Sequence, residues 1–575
     1  MQRVVTYLAL FLFFITTCLS AQSKKIPAND LYTLGKVWGL LKYYHPAVSQ
    51  GKLNWDSILL ATLASGQNKD QAVTHWFEIL GKTTADQLAP VQSKCDSITL
   101  RNFDIRWLEQ SKEIAAGAKA RLLELVRHPK NIGSYYSNPN PGTINFSSKN
   151  EKVYDHFSPD IKMLELFRAW NVIEYFYPYK YLGDKKWDDV LKKYITLFRN
   201  ISTEQDYKTA IMLFAAEIQD THVSFEHSYQ YDVLGKFTAP FIFQVVDNGV
   251  LITGVKDEEK VKKAGIDVGD FITKINGKPV KEIIAARSKY IAVSNPAVMR
   301  REAYQYLFSS NDSICTIEGV KENGKTIKTK LGKIKRVFLK EWDADGIPAY
   351  QLLYKGKAYD YLVWNPKESR PHPGFRLNDK AYIDFASLRA KDIDSLMQAY
   401  RDTKGIVFDL RGYNNDGALL KIFDYLFSKP EFFGIKTCAD FNQPGKFCFK
   451  DHIILESYKY TGKENPDAYK GQVIVLMNEY TQSAAEMWAM VFKKRAGALF
   501  IGSQTAGADG NKTTIKLTDG NEIYFSGLGI YYPDGSETQR IGIKPDIIVR
   551  PTIQSMRKRE DLLLQKAFDM IDNKK

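Results

Sequence analysis

Apolar residues in the C-terminal half of the chain fall in short unbroken runs. Ala381–Phe385, Gly405–Leu410 and Val473–Met477 each have the length and branching of a buried strand, and Lys391–Arg401 reads as a helix between the first two. After Val473–Met477 comes a polar turn, Asn478–Gln482, and then Ser483. Beyond it Ala484, Ala485, Met487, Trp488, Met490 and Val491 recur at helical spacing, and a further apolar run, Ala498–Ile501, follows Gly497. Ser483 therefore stands between a buried strand and a helix N-terminus, where backbone N–H groups lack acceptors and the helix dipole is positive. That setting suits a nucleophile whose reaction leaves negative charge on an oxygen. It suits a helix-capping serine equally well, and spacing alone does not separate the two.

The N-terminal half is patterned differently. Trp38, Pro46 and Trp55 recur as Trp170, Pro178 and Trp187, a shift of 170 − 38 = 132 residues. Leu34, Tyr43, Tyr44 and Asp56 recur at the same shift as Leu166, Tyr175, Phe176 and Asp188. Each copy, Asn29–Ala64 and Asp160–Asn200, predicts an aromatic-faced helix stopped by its proline and a second helix opening near Trp-Asp. This is an internal repeat of a helical hairpin, with aromatics that read as core rather than a ligand cage. Ser134–Ser148 between the copies is a turn-rich linker. The second copy leads into Ala210–Phe225, an apolar helical face ending at Asp-Thr-His-Val. Val250–Val255 and Phe271–Ile275 predict strands, the latter followed by the hairpin signal Asn276-Gly277. Val337–Pro373 reads as an aromatic, β-rich connector without a motif.

A chain of 575 residues exceeds what a single core of about 250–300 residues holds, so several domains are expected. The formal charge of +14 is spread along the sequence, and there is no zinc-finger spacing, P-loop or RNA-binding aromatic signature. A basic solvated surface is expected, not a nucleic-acid partner. Met1–Gln22 reads as a secretory signal: Arg3, an apolar core Val4–Leu19, and small residues through Ala21. Thr17 does not match the small residue that a lipoprotein anchor at Cys18 requires, so no anchor is expected. No later run reaches the ~18 apolar residues of a membrane helix. Export permits disulfides. Cys438 and Cys448 flank DFNQPGKF, a turn between two short strands, so a bridge is expected there, worth roughly 2–3 kcal/mol. The alternative is two free buried thiols; Cys95 and Cys315 are left unassigned.

Along Val473–Val549 the segments TQSAAE, GSQTAG, DGNEIYF and YYPDGSETQRIGIKPDI resemble, in order, the tail-specific (C-terminal processing) serine peptidase family and its tricorn-like relatives. The resemblance implies that Ser483 is the nucleophile. Gly502, Thr505 and Gly507 match the turn that follows it, and Gly542, Ile543, Pro545, Asp546 and Ile547 the closing segment. Asp409-Leu410-Arg411-Gly412 resembles the turn whose glycine N–H, here Gly412 together with Ala484, forms the oxyanion hole. The family usually continues that turn with more glycines, where this chain has Tyr413-Asn414-Asn415-Asp416. The ending Asp220-Thr221-His222 resembles the family's D-x-H segment, which assigns the general base to His222 and the neighbouring polar position to Thr221. His227 is the nearest competitor and lacks the motif. Thr238–Gly332, with EKVKKAGIDVGDFITKINGKPV, resembles a PDZ domain, a module that adds extended peptide to a sheet edge. Pro240–Val245 lacks the glycines of a carboxylate-binding loop, so a scaffold or lid role is the other reading.

One departure bears on mechanism. The bacterial processing branch holds an activating lysine where this chain has Ala508. The tricorn-like branch uses an upstream histidine and a glutamate near G-I-x-P-D, which assigns the orienting carboxylate to Glu537; Gln539 stands three residues before Gly542, where many relatives have a carboxylate. Lys512 is the other candidate base, but its polar turn is expected to be wet and the ammonium charged. The reading is a multidomain α/β protein: signal peptide 1–22, helical repeat domain 23–235, PDZ-like β domain 236–334, and a catalytic domain 335–575 of the crotonase/Clp-like type that includes the connector. It implies an exported serine endopeptidase acting on protein or peptide substrates, with no metal or cofactor. The alternatives are an inactive peptide-binding or chaperone-like protein, and a Ser-Lys peptidase using Lys512. An acyl-CoA enzyme on the same core is disfavoured by export, because CoA is intracellular.

Overall fold

The computed structural model describes residues 25–81, 97–127, 135–137, 150–154, 158–225, 229–336, 350–354, 357–361, 373–453 and 459–573. The signal segment, Cys18, Cys95, His227, most of the 134–148 linker and most of the 337–373 connector lie outside them. The chain is a mixed α/β, multidomain protein.

Its N-terminal part is helical: α1 (Ala28–Tyr44), α2 (Trp55–Ser65), α3 (Pro159–Phe176), α4 (Trp187–Arg199) and α5 (Glu204–Ala216). Asn54 caps α2 and Ser158 caps α3 through their side-chain oxygens. A buried indole N–H needs an acceptor. Trp38 donates to the Trp55 carbonyl (3.2 Å) and Trp55 to the Trp38 carbonyl (3.0 Å), which locks α1 to α2. Trp170 and Trp187 make the same reciprocal pair (2.8 and 3.0 Å) between α3 and α4. Helices α1 and α3 approach closely because Gly39 has no side chain: a Cβ there would lie 1.8 Å from Asn171 Oδ1. Lys42, Asp56, Glu151 and Arg168 form a buried ion cluster in this core.

Strand β1 (Ser224–Phe225) follows directly and leaves the helical part. The middle of the chain then forms an antiparallel sheet in the order β2 (Phe241–Val246), β3 (Gly249–Val255), β4 (Phe271–Ile275), β5 (Ile314–Val320), β6 (Thr326–Gly332), with Lys278–Pro279 paired to β4. Helix α6 (Pro296–Ala303) and the residues after it lie on β2, with the Tyr304 ring 4.6 Å from that of Phe243.

The C-terminal part is built on a sheet ordered β7 (Gly374–Leu377), β8 (Lys380–Asp384), β9 (Gly405–Asp409), β10 (Gln472–Met477), β11 (Leu499–Gly502), β14 (Ile547–Ile548). The β7–β8 pair is antiparallel and the other pairs are parallel. Every residue of β9 and β10 is buried, as expected for parallel strands covered on both faces. Ile406, Phe408, Val473 and Val475 face the core of α7 (Ala484–Lys493), while Val407, Ile474 and Leu476 face α8 (Leu562–Asn573). The alternation is the two-residue period of a strand. A third sheet joins the parts: β1 pairs with β13 (Glu522–Ser526), which pairs with β12 (Lys512–Lys516).

The expected Cys438–Cys448 bridge is not present. The two residues do sit opposite each other on the antiparallel strands Ile435–Ala439 and Phe447–Lys450, but Cys438 is a free buried thiol whose sulfur approaches the Cys448 carbonyl at 3.8 Å. Burial raises the Cys438 pKa. Cys448 is disulfide-bonded, and not to Cys438. Among the described residues no helix is long and apolar enough to cross a membrane, and no cluster of three His, Cys, Asp or Glu is placed to hold a metal.

Candidate active site

Two parallel strands end side by side. Asp409 of β9 stands opposite Leu476 of β10, so the segments leaving their carboxyl ends, Leu410–Gly412 and Asn478–Ser483, share one crevice. Leu410 N–H donates to the Leu476 carbonyl (2.9 Å), and the Thr481 hydroxyl donates to the Leu410 carbonyl (2.9 Å). Arg411 fixes the first turn. Its guanidinium donates to Asp409 (2.5 Å) and to Asp561 (2.6 Å), all three being buried. Gly412 comes next, and a Cβ there would lie 2.5 Å from Ala386 Cβ. A larger residue would push the turn out of place.

Ser483 has φ 56° and ψ −124°, a conformation that costs a non-glycine residue about 1–3 kcal/mol. It is a sharp strand-to-helix turn of the kind that presents a nucleophile. Its own N–H donates to the Ala508 carbonyl (2.9 Å). Ser483 stands at the cap position of α7, yet its side chain makes no capping hydrogen bond. The hydroxyl is thus spared from the helix, which speaks against the capping reading that spacing left open. Ala484 is the first residue of α7, and neither its N–H nor that of Gly412 has an acceptor among the described residues.

The turn after β11 is held from within α7. The buried Glu486 carboxylate accepts from Thr505 Oγ1 (2.5 Å), Gly507 N–H (2.8 Å) and Ala508 N–H (2.9 Å). Burial raises its pKa despite those donors. Asp509 beside it is also fully buried, and burial together with the Glu486 charge raises its pKa well above the ordinary value. The position of the family's lysine is therefore filled by Ala508, next to a carboxyl group whose ionisation burial disfavours.

His222 arrives from the helical part just before β1. Its Nδ1 lies 2.8 Å from Ser526 Oγ at the end of β13, and its backbone N–H donates to Asp220 Oδ1 (3.0 Å). Burial lowers its pKa to about 4; Asp220 opposes the shift, while Lys512 and Arg301 add to it. The ring is neutral at neutral pH and only 6 % exposed. Thr221 is tied to the neighbouring segment: its N–H donates to Ser294 Oγ (2.9 Å) and its hydroxyl accepts from Ser294 N–H (2.8 Å). Asn295 then donates to the carbonyls of Thr505 (3.0 Å) and Ala506 (2.9 Å), and Arg301 to Gln482 Oε1 (2.7 Å) and the Glu479 carbonyl (2.8 Å). These bonds fix the segment carrying His222 against the turns that flank Ser483. His222 and Ser483 are not hydrogen-bonded to each other among the described residues.

Glu537 is not hydrogen-bonded to His222 among the described residues. Its carboxylate accepts from Arg101 (2.5 Å) and the Tyr181 hydroxyl (3.0 Å), and it is not among the charges that act on the imidazole. Its bridge to Tyr531 turns it toward the helical part. The carboxylate at His222 is Asp220, whose Oδ1 also accepts from Gln539 Nε2 (3.2 Å). Asp220 had one signal in the sequence, its place two residues before His222; Ser526 had none. Lys512 opens β12 as an exposed residue with its ammonium 5.1 Å from the centre of the Tyr524 ring. Loss of water around the ammonium lowers its pKa, against the opposing pull of Asp220.

Residues 379–549, which include Gly412 and Ser483, match the family model for Peptidase family S41. The "Probable CtpA-like serine protease" of Staphylococcus haemolyticus is 25% identical over 362 residues, 60% of this chain and 59% of its own length. A Tricorn-like protease C-terminal subunit of Sulfurisphaera tokodaii is 22% identical over 452 residues, 73% of this chain and 44% of that protein. The chain thus spans about half the length of these relatives. The solved structure of mature CPAF complexed with lactacystin is similar in fold, with a TM-score of 0.54 at 13% identity over 72% of this chain and 99% of that one. Through residues 379–549, with Ser483 at the mouth of their parallel sheet, the chain carries a domain that belongs to Peptidase family S41.

Proposed function

We propose that the protein is an exported serine endopeptidase in which Ser483 is the nucleophile and His222 the general base. The observation that carries this reading is the strained, uncapped Ser483 beside two acceptor-less amides, Gly412 and Ala484. In the first half-reaction Ser483 Oγ attacks the scissile carbonyl carbon. The serine proton passes to His222, and the carbonyl oxygen takes the negative charge between the two amides. The C–N bond then breaks as His222 returns the proton to the departing amine. Water repeats the sequence on the acyl-serine, releasing the acid and restoring Ser483. A histidine base needs no downward tuning to be neutral at neutral pH, unlike a lysine.

The remaining parts serve that chemistry. The reciprocal tryptophan pairs support reading 23–235 as a repeated helical hairpin that carries the His222 arm. The β2–β6 sheet supports a PDZ-like reading of 236–334, and Arg301 on its helix α6 reaches Gln482 beside the nucleophile, which suits a gating role. Export is supported by the apolar segment Val4–Leu19 behind Arg3 and by the disulfide at Cys448. The test is hydrolysis of an unfolded protein by the full chain and by Ser483→Ala, with the residue labelled by a fluorophosphonate mapped in parallel. Loss of hydrolysis in the variant and a label on Ser483 are expected; full activity of the variant would refute the proposal.

A further inference from the structure

The immediate surroundings of His222 differ from what the closing motif implies. The two nitrogens of a neutral imidazole are not equivalent: the one that carries the proton is set by the partner of that nitrogen. A base for Ser483 needs its proton on Nδ1 and its lone pair on Nε2. Ser526 Oγ, at 2.8 Å, is the hydrogen-bond partner of Nδ1. Among the described residues His222 is hydrogen-bonded through Nδ1, not through Nε2. Ser526 is itself fixed, because its backbone N–H donates to Asp220 Oδ2 (2.6 Å). Asp220 Oδ1 lies 4.0 Å from Nδ1, too far for a hydrogen bond but close enough to favour the imidazolium that forms when the serine proton arrives. Gln539, a neutral side chain, donates to that same oxygen (3.2 Å).

We infer that Ser526 and Asp220 are the positioning residues of the base: Ser526 accepts from Nδ1–H and so sets the tautomer, and Asp220 anchors Ser526 and supplies the negative charge expected of Glu537. The carboxylate thus comes from the same short segment as the histidine, and the hydroxyl from a hairpin of the C-terminal part. Three charged groups act on the ring: Asp220 favours its protonation, and Lys512 from β12 and Arg301 from α6 oppose it. The catalytic meaning of this arrangement rests on the proposed role of His222; the tautomer itself does not.

The test is nitrogen-15 spectroscopy of the full chain labelled at histidine, titrated with pH, with the His222 signal assigned by its loss in His222→Gln. The wild type is expected to show His222 as the Nδ1–H tautomer. Ser526→Ala should lose that preference and Ser526→Thr, which keeps the hydroxyl, should restore it. Asp220→Asn should lower the His222 midpoint by about one pH unit or more, because a group that favours the charged ring is removed. Glu537→Gln should change neither signal. An Nε2–H tautomer in the wild type, or an unchanged tautomer in folded Ser526→Ala, overturns the role of Ser526. An unmoved midpoint in Asp220→Asn, or a moved one in Glu537→Gln, overturns that of Asp220. Fluorophosphonate labelling of the same samples separates the two levels. If wild-type Ser483 does not react, the proposed activity fails while the tautomer still decides this inference. If it does, Ser526→Ala and Asp220→Asn should label at least about tenfold more slowly, since tautomer and charge at the base are both lost.

Discussion

The two halves of the site are made in different ways. The half with the proposed nucleophile is local: strand β10, turn, Ser483 and helix α7 are contiguous, and the amides proposed as the oxyanion hole come from that helix and from the end of the neighbouring strand. The base half is assembled. His222 belongs to the helical part, its Nδ1 partner lies 304 residues away on a hairpin, and Asn295 and Arg301 of the middle sheet unit tie the two together. A local device stores its strain in one backbone turn and survives most changes elsewhere. An assembled device depends on the packing of three parts, so its geometry is where substrate or partner binding can act.

Mutations should separate the two halves by the size of their effects. Ser483→Ala strikes the local half at its reacting atom, and turnover should fall on the order of 10^6-fold, the scale seen when such a serine is removed. Thermal unfolding of this variant should move little, because the hydroxyl caps nothing. Gly412→Ala comes next. The added methyl meets Ala386, the amide shifts, and the loss of one oxyanion donor should cost about 10^2–10^3-fold in kcat measured on a small ester, with KM little changed.

The assembled half is read through pH. The rate needs neutral His222, and the neutral form prevails above its pKa. With that pKa lowered to about 4, kcat/KM should hold from neutrality to about pH 5 and decline only as pH nears 4. An acid limb near the ordinary histidine pKa of about 6.5 would mean that the base is not a buried imidazole. The smallest effect is expected for Glu537→Gln. It breaks a partly exposed pair with Arg101, worth no more than about 1 kcal/mol, and should leave turnover within a few-fold of wild type. A large loss of turnover would return the orienting role to Glu537.

Legibility in the sequence divides along the same line. The run Val473–Met477, the turn and the helix after Ser483 are legible because strand burial and helical spacing are local patterns, and β10 and α7 lie where those patterns put them. Trp38 and Trp55 are legible as a pair because the repeat shows them twice. Side-chain partners across the fold are not legible. Glu537 stands in the right motif, but its carboxylate turns to Arg101, and no spacing rule says which face of a segment meets a histidine from another part. Cys438 and Cys448 are cross-strand neighbours as their spacing implies, yet cross-strand proximity does not decide which thiols join. Spacing cannot separate a capping serine from a nucleophile; the φ of 56° and the unmade cap bond speak against the cap.

The central claim is that a histidine brought in from the helical part activates Ser483, although the lysine position of the family holds Ala508. The most direct measurement is the rate at which a fluorophosphonate labels Ser483 in the wild type, His222→Ala and Lys512→Ala, with circular dichroism to show that each is folded. His222→Ala should lose roughly 10^3-fold or more in labelling rate and Lys512→Ala should keep most of it. Rapid labelling of His222→Ala together with a dead Lys512→Ala would contradict the account and make Lys512 the base.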